Sequence, residues 1–271
     1  MTSIRPITSA QNPALKFVRS LEMKKYRDEH KAFVVEGLRH VLEGLACGWI
    51  LKILFCTEGE KGGPPFQQAL REAQKQRTEI YSLPPDLMQK LTHRDNAQGI
   101  VGVFEQKQVA LEDIEVMPHS PWVALESIKD LGNLGTIIRT LDSVGPHCGI
   151  ILAGNTCDPY SLECVRASMG SLFSIPVVKT SEESFFTWAR NFKGRMVGTH
   201  LKATMDYRAI PDPDRPTILL MGNEQSGLPD RYLPLCTSAV KIPMRGRADS
   251  LNLSIATGVM LYELVRNIPQ K

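Results

Sequence analysis

The order of apolar runs along this chain predicts an α/β protein, in which a mostly parallel sheet in the second half follows a smaller α/β unit in the first. Three observations carry that reading. From Trp122 onward, short apolar strands alternate with stretches of helical periodicity, the pattern of βαβ units rather than hairpins. The same alternation runs separately through the residues before Gln106. Between the two, QKQVALEDIEVMPHS shows no strong periodicity and ends in Pro118 and Pro121, as a connecting segment does. A chain of 271 residues has room for two domains, and the boundaries read as 1–106, a linker over 107–120, and 121–271.

In chain order, Asn12 to Met23 is a capped helix with Leu15, Val18 and Leu21 on one face. Phe33 to Val35 is a strand that turns at Glu36-Gly37 into a helix carrying Leu38, Val41, Leu42 and Leu45. A strand over Ile50 to Cys56, a helix over Phe66 to Gln76 and a strand over Glu79 to Leu83 follow. A helical turn over Asp86 to Leu91 and a strand over Gly99 to Phe104 complete the first unit. The second restarts with a strand over Val123 to Glu126, a helix over Leu134 to Val144 and a strand over Gly149 to Ala153. Helices near Ser161 to Ala167 and Glu182 to Asn191 then alternate with strands near Ile175 to Val178 and Met196 to His200. The last strands, Ile218 to Met221 and Ala239 to Ile242, stop at Gly222 and Pro243, and a closing helix covers Leu251 to Val265.

Composition narrows the function classes. The chain is 42% hydrophobic and 23% charged, with no apolar run near the length that crosses a bilayer. The opening MTSIRPITSAQNPALKF holds no hydrophobic signal core, so a cytosolic protein with no membrane partner is expected. The six cysteines form no CxxC pair and do not cluster with the six histidines, which argues for buried reduced thiols and against a metal site. His147 and His200 lie beside apolar segments, without a Ser or Cys nucleophile paired to them. The net charge of +3 is uneven: residues 1–40 hold 8 basic against 4 acidic side chains, while residues 107–271 hold 17 of each. A solvated surface accounts for that excess; so does a polyanion-facing arm, with Arg5, Lys16, Arg19, Lys24, Lys25, Arg27 and Lys31 as candidate phosphate contacts.

Three loops collect polar groups beside small residues. Lys129 to Thr136 leads into a helix, with Asn133 as a candidate cap. Arg139 follows among Ile137, Ile138 and Leu141, and an arginine so placed needs an acid or a phosphate; Glu224 is the candidate acid. The second loop is Asn223 to Gly227, carrying that acid, and the third is Arg245 to Asn252, where Asp249 or Ser250 could cap the last helix. Open α/β sheets bind ligands at the carboxyl ends of their strands. With no dinucleotide glycine triplet and no GK[ST] loop, the ligand is not expected to be held by its phosphates; backbone groups at the strand ends could hold an adenine edge.

The segments DLGNLGTIIRT, LLMGNEQSGL and IPMRGRADSLNLSIATGVMLYE closely resemble the three signature motifs of the SpoU/TrmH family of RNA ribose 2′-O-methyltransferases, in the SPOUT superfamily, and occur in family order. FVVEGLRHVLEG through DNAQGIVGVF is similar to that family's ribosomal-protein-like substrate-binding domain. Leu131 stands where proline is common, and Leu141-Asp142-Ser143 replaces a more alanine-rich run; both changes touch packing rather than the polar residues. The resemblance implies a carboxyl-terminal trefoil knot, a homodimer through the knotted domain, and S-adenosyl-L-methionine bent into the knot cleft. Backbone groups around Gly222, Ile242 and Leu251 would hold the cofactor, with Leu220, Met221, Met244 and Leu253 close by. It also implies methyl transfer to a ribose 2′-hydroxyl of RNA, rRNA in preference to tRNA. Arg139 would grip a phosphate and polarise the hydroxyl, while Asn133, Glu224, Ser250 and Asn252 orient it and the ribose. Two other readings stand beside this one: an RNA-binding assembly factor without catalysis, and the same chemistry on tRNA.

Overall fold

The structure, a computed structural model, describes residues 4–60, 62–92, 99–211 and 215–268. The DNAQ at 95–98 within the amino-terminal resemblance lies outside the described residues. Strand β1 is Arg5–Pro6, and helix α1 spans Pro13–Ser20. α1 starts where it does because the Asn12 side chain accepts from the Ala14 N–H at 2.9 Å and proline tolerates the first helical position. It stops three residues short of Met23, and a second helix, α2, covers Lys24–His30. The reason is Arg27. Its side chain is buried, and Nη1 donates to the carbonyls of Leu21 and Glu22, both at 2.7 Å, so it satisfies backbone acceptors that the end of α1 leaves open. Arg27 is therefore a structural residue and not the phosphate contact expected of it.

The first sheet continues with β2 over Ala32–Glu36, helix α3 over Leu38–Ala46, β3 over Leu51–Thr57 and helix α4 over Pro64–Lys75. It closes with β4 over Glu79–Leu83, helix α5 over Pro85–Thr92 and β5 over Ile100–Glu105. The strand order is β1-β4-β3-β5-β2, with β4 parallel to β1 and β3, and β5 antiparallel to β3 and β2. Leu15, Phe55, Met88 and Val103 belong to its core and are fully buried.

The second unit is built from β6 over Trp122–Glu126, helix α6 over Leu131–Val144 and β7 over Gly149–Ala153. After helix α7, Leu162–Ala167, come β8 over Val177–Thr180, helix α8 over Glu182–Asn191, β9 over Arg195–Thr199 and the short β10, Met205–Asp206. β11 over Thr217–Met221, β12 over Ser238–Lys241 and helix α9 over Leu253–Leu264 complete it. Seven strands form one sheet in the order β10-β12-β9-β11-β6-β7-β8, and every pairing is parallel. A parallel sheet puts all its carboxyl ends along one edge, so the loops after β6, β11 and β12 share that edge. β11 sits between β9 and β6 with all five residues buried, which is why it reads as a continuous apolar run rather than an alternating one.

Two segments pack differently from the sequence expectation. Part of the stretch taken as a linker is held in the second unit: Val109 bridges to Val178, Leu111 is buried, and Ile114 and Val116 pack on the same core. The compact units are residues 1–107 with 160–173, and 108–159 with 174–271, so α7 belongs with the first unit and not the second. There Tyr160 lies 4.9 Å from Phe33 between ring centroids, Phe173 lies 5.2 Å from Trp49, and the Trp49 indole donates to the Phe173 carbonyl at 2.9 Å. Arg166 on α7 places Nε and Nη2 on Glu36 Oε2 at 3.0 and 2.6 Å. Periodicity tells which face of a helix is buried, but not against which unit.

Candidate active site

Three chain segments meet at the carboxyl edge of the seven-stranded sheet. α6 begins at Leu131 because the Asp130 carboxylate accepts from the backbone N–H of Asn133 at 2.6 Å. Asp130, not Asn133, is thus the cap, and the Asn133 side chain is left for other partners. Its Nδ2 donates to Glu224 Oε1 at 3.3 Å, an oxygen that also accepts from the Asp130 N–H at 3.4 Å. Its Oδ1 accepts from Asn252 Nδ2 at 3.0 Å. Asn252 in turn caps α9, its Oδ1 accepting from the N–H groups of Ser254 and Ile255 at 2.9 and 3.3 Å; neither Asp249 nor Ser250 does so. Asn133, Glu224 and Asn252, one from each loop, are joined across 91 and 119 positions of chain.

The turn that carries Glu224 is made by its own residues. A Cβ on Gly222 would lie 1.8 Å from the carbonyl carbon of Gly227, so only glycine permits the chain to close on itself there. Gly227 takes φ +66°. Asn223 Oδ1 accepts from the N–H groups of Gln225 and Ser226 at 3.0 and 2.9 Å and from Ser226 Oγ at 3.0 Å. Asn223 Nδ2 reaches the buried Glu126 at the end of β6, at 3.1 Å, and Arg231 meets the other Glu126 oxygen at 3.4 Å and also Glu182. Sequence reading missed Glu126 and Arg231; the available signal was an acid closing the apolar strand WVALE.

Arg139 is exposed on α6 and makes no hydrogen bond or ion pair with the described residues. The expected pair with Glu224 is not formed, because Glu224 is engaged at the first turn, and six helical residues place Arg139 about 9 Å further along the axis from Asn133. Ile137, Ile138 and Leu141 around it are fully buried, so its guanidinium stands out from an apolar base. Ser250 is exposed and is not drawn into the junction.

Of the residues expected near a cofactor, Leu220, Met221 and Gly222 are buried at the end of β11, and Leu253 is buried at the start of α9. Thr199 Oγ1 donates to Met221 Sδ at 3.3 Å. Ile242 is half-buried, and Met244 and Leu251 are exposed on a loop that otherwise holds Arg245, Arg247 and Asp249. Cys157 marks the local electrostatics: burial first, then Glu224 and Asp130, push its thiol up to about 11. Exposed apolar side chains, a tight glycine turn and nearby carboxylates fit an adenine-bearing sulfonium better than a phosphate-bearing nucleotide.

In the first unit, Arg5, Lys16, Lys24, Lys25 and Lys31 are exposed and Arg19 is half-buried. Lys16, Lys24, Lys25 and Lys31 have no acidic partner among the described residues. His200 stands outside the junction, its Nε2 bonded to Asp230 at 2.9 Å while Nδ1 accepts from the Lys202 N–H. Among the described residues no three His, Cys, Asp or Glu side chains are grouped as a metal would need, and no helix is long and apolar enough to cross a membrane.

Comparison with known proteins identifies the family. Residues 120–262 match the SpoU rRNA Methylase family, and residues 12–102 match the MRM3-like substrate binding domain. The chain is 34% identical to the 23S rRNA (uridine(2479)-2′-O)-methyltransferase of Streptomyces viridochromogenes, over 97% of this chain and 92% of that one. It is 26% identical to the 23S rRNA (guanosine(2553)-2′-O)-methyltransferase RlmP of Bacillus subtilis (strain 168), over 96% of this chain and 99% of that one. The crystal structure of AdoMet bound rRNA methyltransferase from Sinorhizobium meliloti is similar with a TM-score of 0.92 and 42% identity, covering 98% of this chain and 99% of that one. With the family match spanning just over half of the residues and taking in all three converging loops, the chain belongs to the SpoU rRNA methylase family.

Proposed function

We propose that this chain transfers the methyl group of S-adenosyl-L-methionine to a ribose 2′-hydroxyl of ribosomal RNA, at the Asn133–Glu224–Asn252 junction. The observation that carries the reading is that junction itself, formed by three distant loops on a helix whose Arg139 is left without an internal acid. When bound, the cofactor supplies an already activated sulfonium methyl. What remains for the protein is alignment, and holding oxygen, carbon and sulfur in line is worth roughly 7–11 kcal/mol.

Asn133, Glu224 and Asn252 suit that task because each is held at two points: the Asn133 side chain by the other two members, and Glu224 and Asn252 each by Asn133 and by backbone N–H groups at a helix start. A guanidinium offers donors and no acceptor, so Arg139 is assigned a donor's role and not that of taking the hydroxyl proton. It grips the adjoining phosphate and eases the build-up of negative charge on the 2′-oxygen. Ser250, exposed beside Asn252, orients the ribose from the open side. Gly222, Ile242 and Leu251 would hold the cofactor through backbone groups, with Leu220, Met221, Met244 and Leu253 as its apolar surround. Threading of this part of the chain into a trefoil knot belongs to the same reading.

A site built for a 2′-hydroxyl selects RNA over DNA. The curated relatives act on 23S rRNA by name, one at a uridine and the other at a guanosine, which favours rRNA over tRNA and leaves the base to the substrate-binding unit. The unpaired lysines Lys16, Lys24, Lys25 and Lys31, with Arg5 and Arg19, provide phosphate contacts there. A ribosomal RNA substrate supports the expected cytoplasmic location. A homodimer is supported by α9, which is apolar all round yet exposes Ile255 and Tyr262, 55% and 56%, on one side.

Arg139→Ala is the decisive variant. Transfer of tritiated methyl groups to rRNA should fall by about 100-fold or more, as loss of one transition-state donor does. Calorimetry should find cofactor affinity unchanged. Turnover at the wild-type rate would remove Arg139 from the reaction and with it this reading of the junction.

A further inference from the structure

We infer that Glu126 is the positioning residue for the turn that bears Glu224, acting through Asn223; the inference rests on the methyl-transfer reading above. Glu126 ends β6 and is 6% exposed, so its carboxylate is shielded from water. Both oxygens face donors: Oε2 accepts from Asn223 Nδ2 at 3.1 Å and Oε1 from Arg231 Nη2 at 3.4 Å. An ionised carboxylate accepts at both ends, whereas a glutamine of the same size accepts at one and must set its own N–H₂ against a donor at the other.

This arrangement decides which way the Asn223 amide faces. With Nδ2 held by Glu126, Oδ1 is turned into the loop, where it takes the N–H groups of Gln225 and Ser226 and the Ser226 hydroxyl. A flipped amide would put two donors against those three. Glu224 lies between the anchored residues, and its carboxylate reaches Asn133 and the Asp130 N–H. The string therefore runs from a buried acid on the sheet to the reacting edge. Buried ion pairs are often replaceable by apolar side chains; here the second acceptor is the property in use, because it satisfies Arg231 while the first anchors the Asn223 amide in the one orientation its loop also accepts.

The test is a double-mutant cycle of Glu126→Gln and Asn223→Asp, assayed with tritiated S-adenosylmethionine on total ribosomal RNA from cells lacking this protein. Each single variant places like against like, donor on donor or carboxylate on carboxylate. Each should lower kcat by about 10- to 100-fold, the cost of a misplacement near an ångström, while KM for RNA stays within about twofold. Combined, the introduced amide donates to the introduced carboxylate, which still accepts from Gln225 and Ser226. The double variant should recover about tenfold over the slower single one.

A wild-type kcat for Glu126→Gln, or a double variant no faster than the slower single, overturns the proposal. If Glu126→Gln fails to fold, the double variant must fold and turn over, and its failure overturns the proposal as well. Should the wild-type chain itself transfer no methyl group, the functional reading fails while this one is still decided by hydrogen exchange. The Gln225 and Ser226 amides should then exchange faster in Glu126→Gln and recover in the double variant, and unchanged exchange sinks it.

Discussion

A single Cβ would not fit at Gly222, and that makes it the sharpest residue-scale test of the site. Gly222→Ala sets a methyl group 1.8 Å from the Gly227 carbonyl carbon, so the turn must open. Opening it releases Glu224 from Asn133, and we expect cofactor affinity and methyl transfer both to fall by more than tenfold. Melting should show that the sheet survives; wild-type affinity would mean the turn is not part of the binding surface. The thiols give a pH-dependent prediction. Burial holds Cys56, Cys157 and Cys236 at about 11 and Cys148 at about 12, above the ordinary thiol value of 9.0. Between those limits the unfolded chain loses protons that the folded chain keeps, so stability should decline as pH rises from about 9 towards 11–12. Replacing Cys148 with alanine should flatten that decline, which urea titrations at pH 8 and pH 10 would register. A slope the same in both proteins would mean other groups govern it.

At the scale of an element, α9 holds two properties in tension. Leu253, Thr257, Met260, Leu261 and Leu264 are buried within the unit, while Ile255, Val259 and Tyr262 follow at helical spacing on the other side with Ile255 and Tyr262 open to solvent. Burying a side chain of that size stabilises by about 1.5–3 kcal/mol, so the pair contributes substantially to any dimer that covers it. For the proposed homodimer, Ile255→Asp with Tyr262→Asp should therefore shift sedimentation from dimer to monomer with little change in helix content. A dimer that persists unchanged would place the interface elsewhere. α2 is the contrary case, an element no periodicity suggested. Lys24–His30 is mostly charged, and it stands because Arg27 turns inward to the carbonyls of Leu21 and Glu22.

The whole molecule is not divided where its sequence is. Phe173 lies far along the chain, yet it packs with Phe33, Trp49 and Phe104 in the first unit and is 5% exposed. Truncating a buried aromatic costs about 3–5 kcal/mol. Phe173→Ala should accordingly lower the protection of β2 and β5 amides against hydrogen exchange and leave β6 and β11 protected. The reverse pattern would contradict the assignment of residues 160–173 to the first unit. A fragment ending at Lys107 would lack that aromatic cluster's second half and the Arg166–Glu36 pair.

What the sequence determined by itself was whatever neighbouring residues encode. The alternation of short strands and helices, the buried run Ile218–Met221 and the three polar loops were all legible, because periodicity and turn chemistry act over a few positions. Asn133, Arg139, Glu224 and Asn252 could be singled out because the residue types fit a chemistry and the motifs a family. Tertiary structure decided the rest. That Asp130 rather than Asn133 caps α6, and Asn252 rather than Asp249 or Ser250 caps α9, depends on how the backbone is placed at each helix start. That Glu224 meets Asn133 rather than Arg139, that Glu126 meets Asn223, and that Arg166 meets Glu36 are contacts across 91, 97 and 130 positions. No local pattern carries such pairings; they exist only once a parallel sheet has brought the ends of its strands to one edge and each unit has packed its own distant segments together.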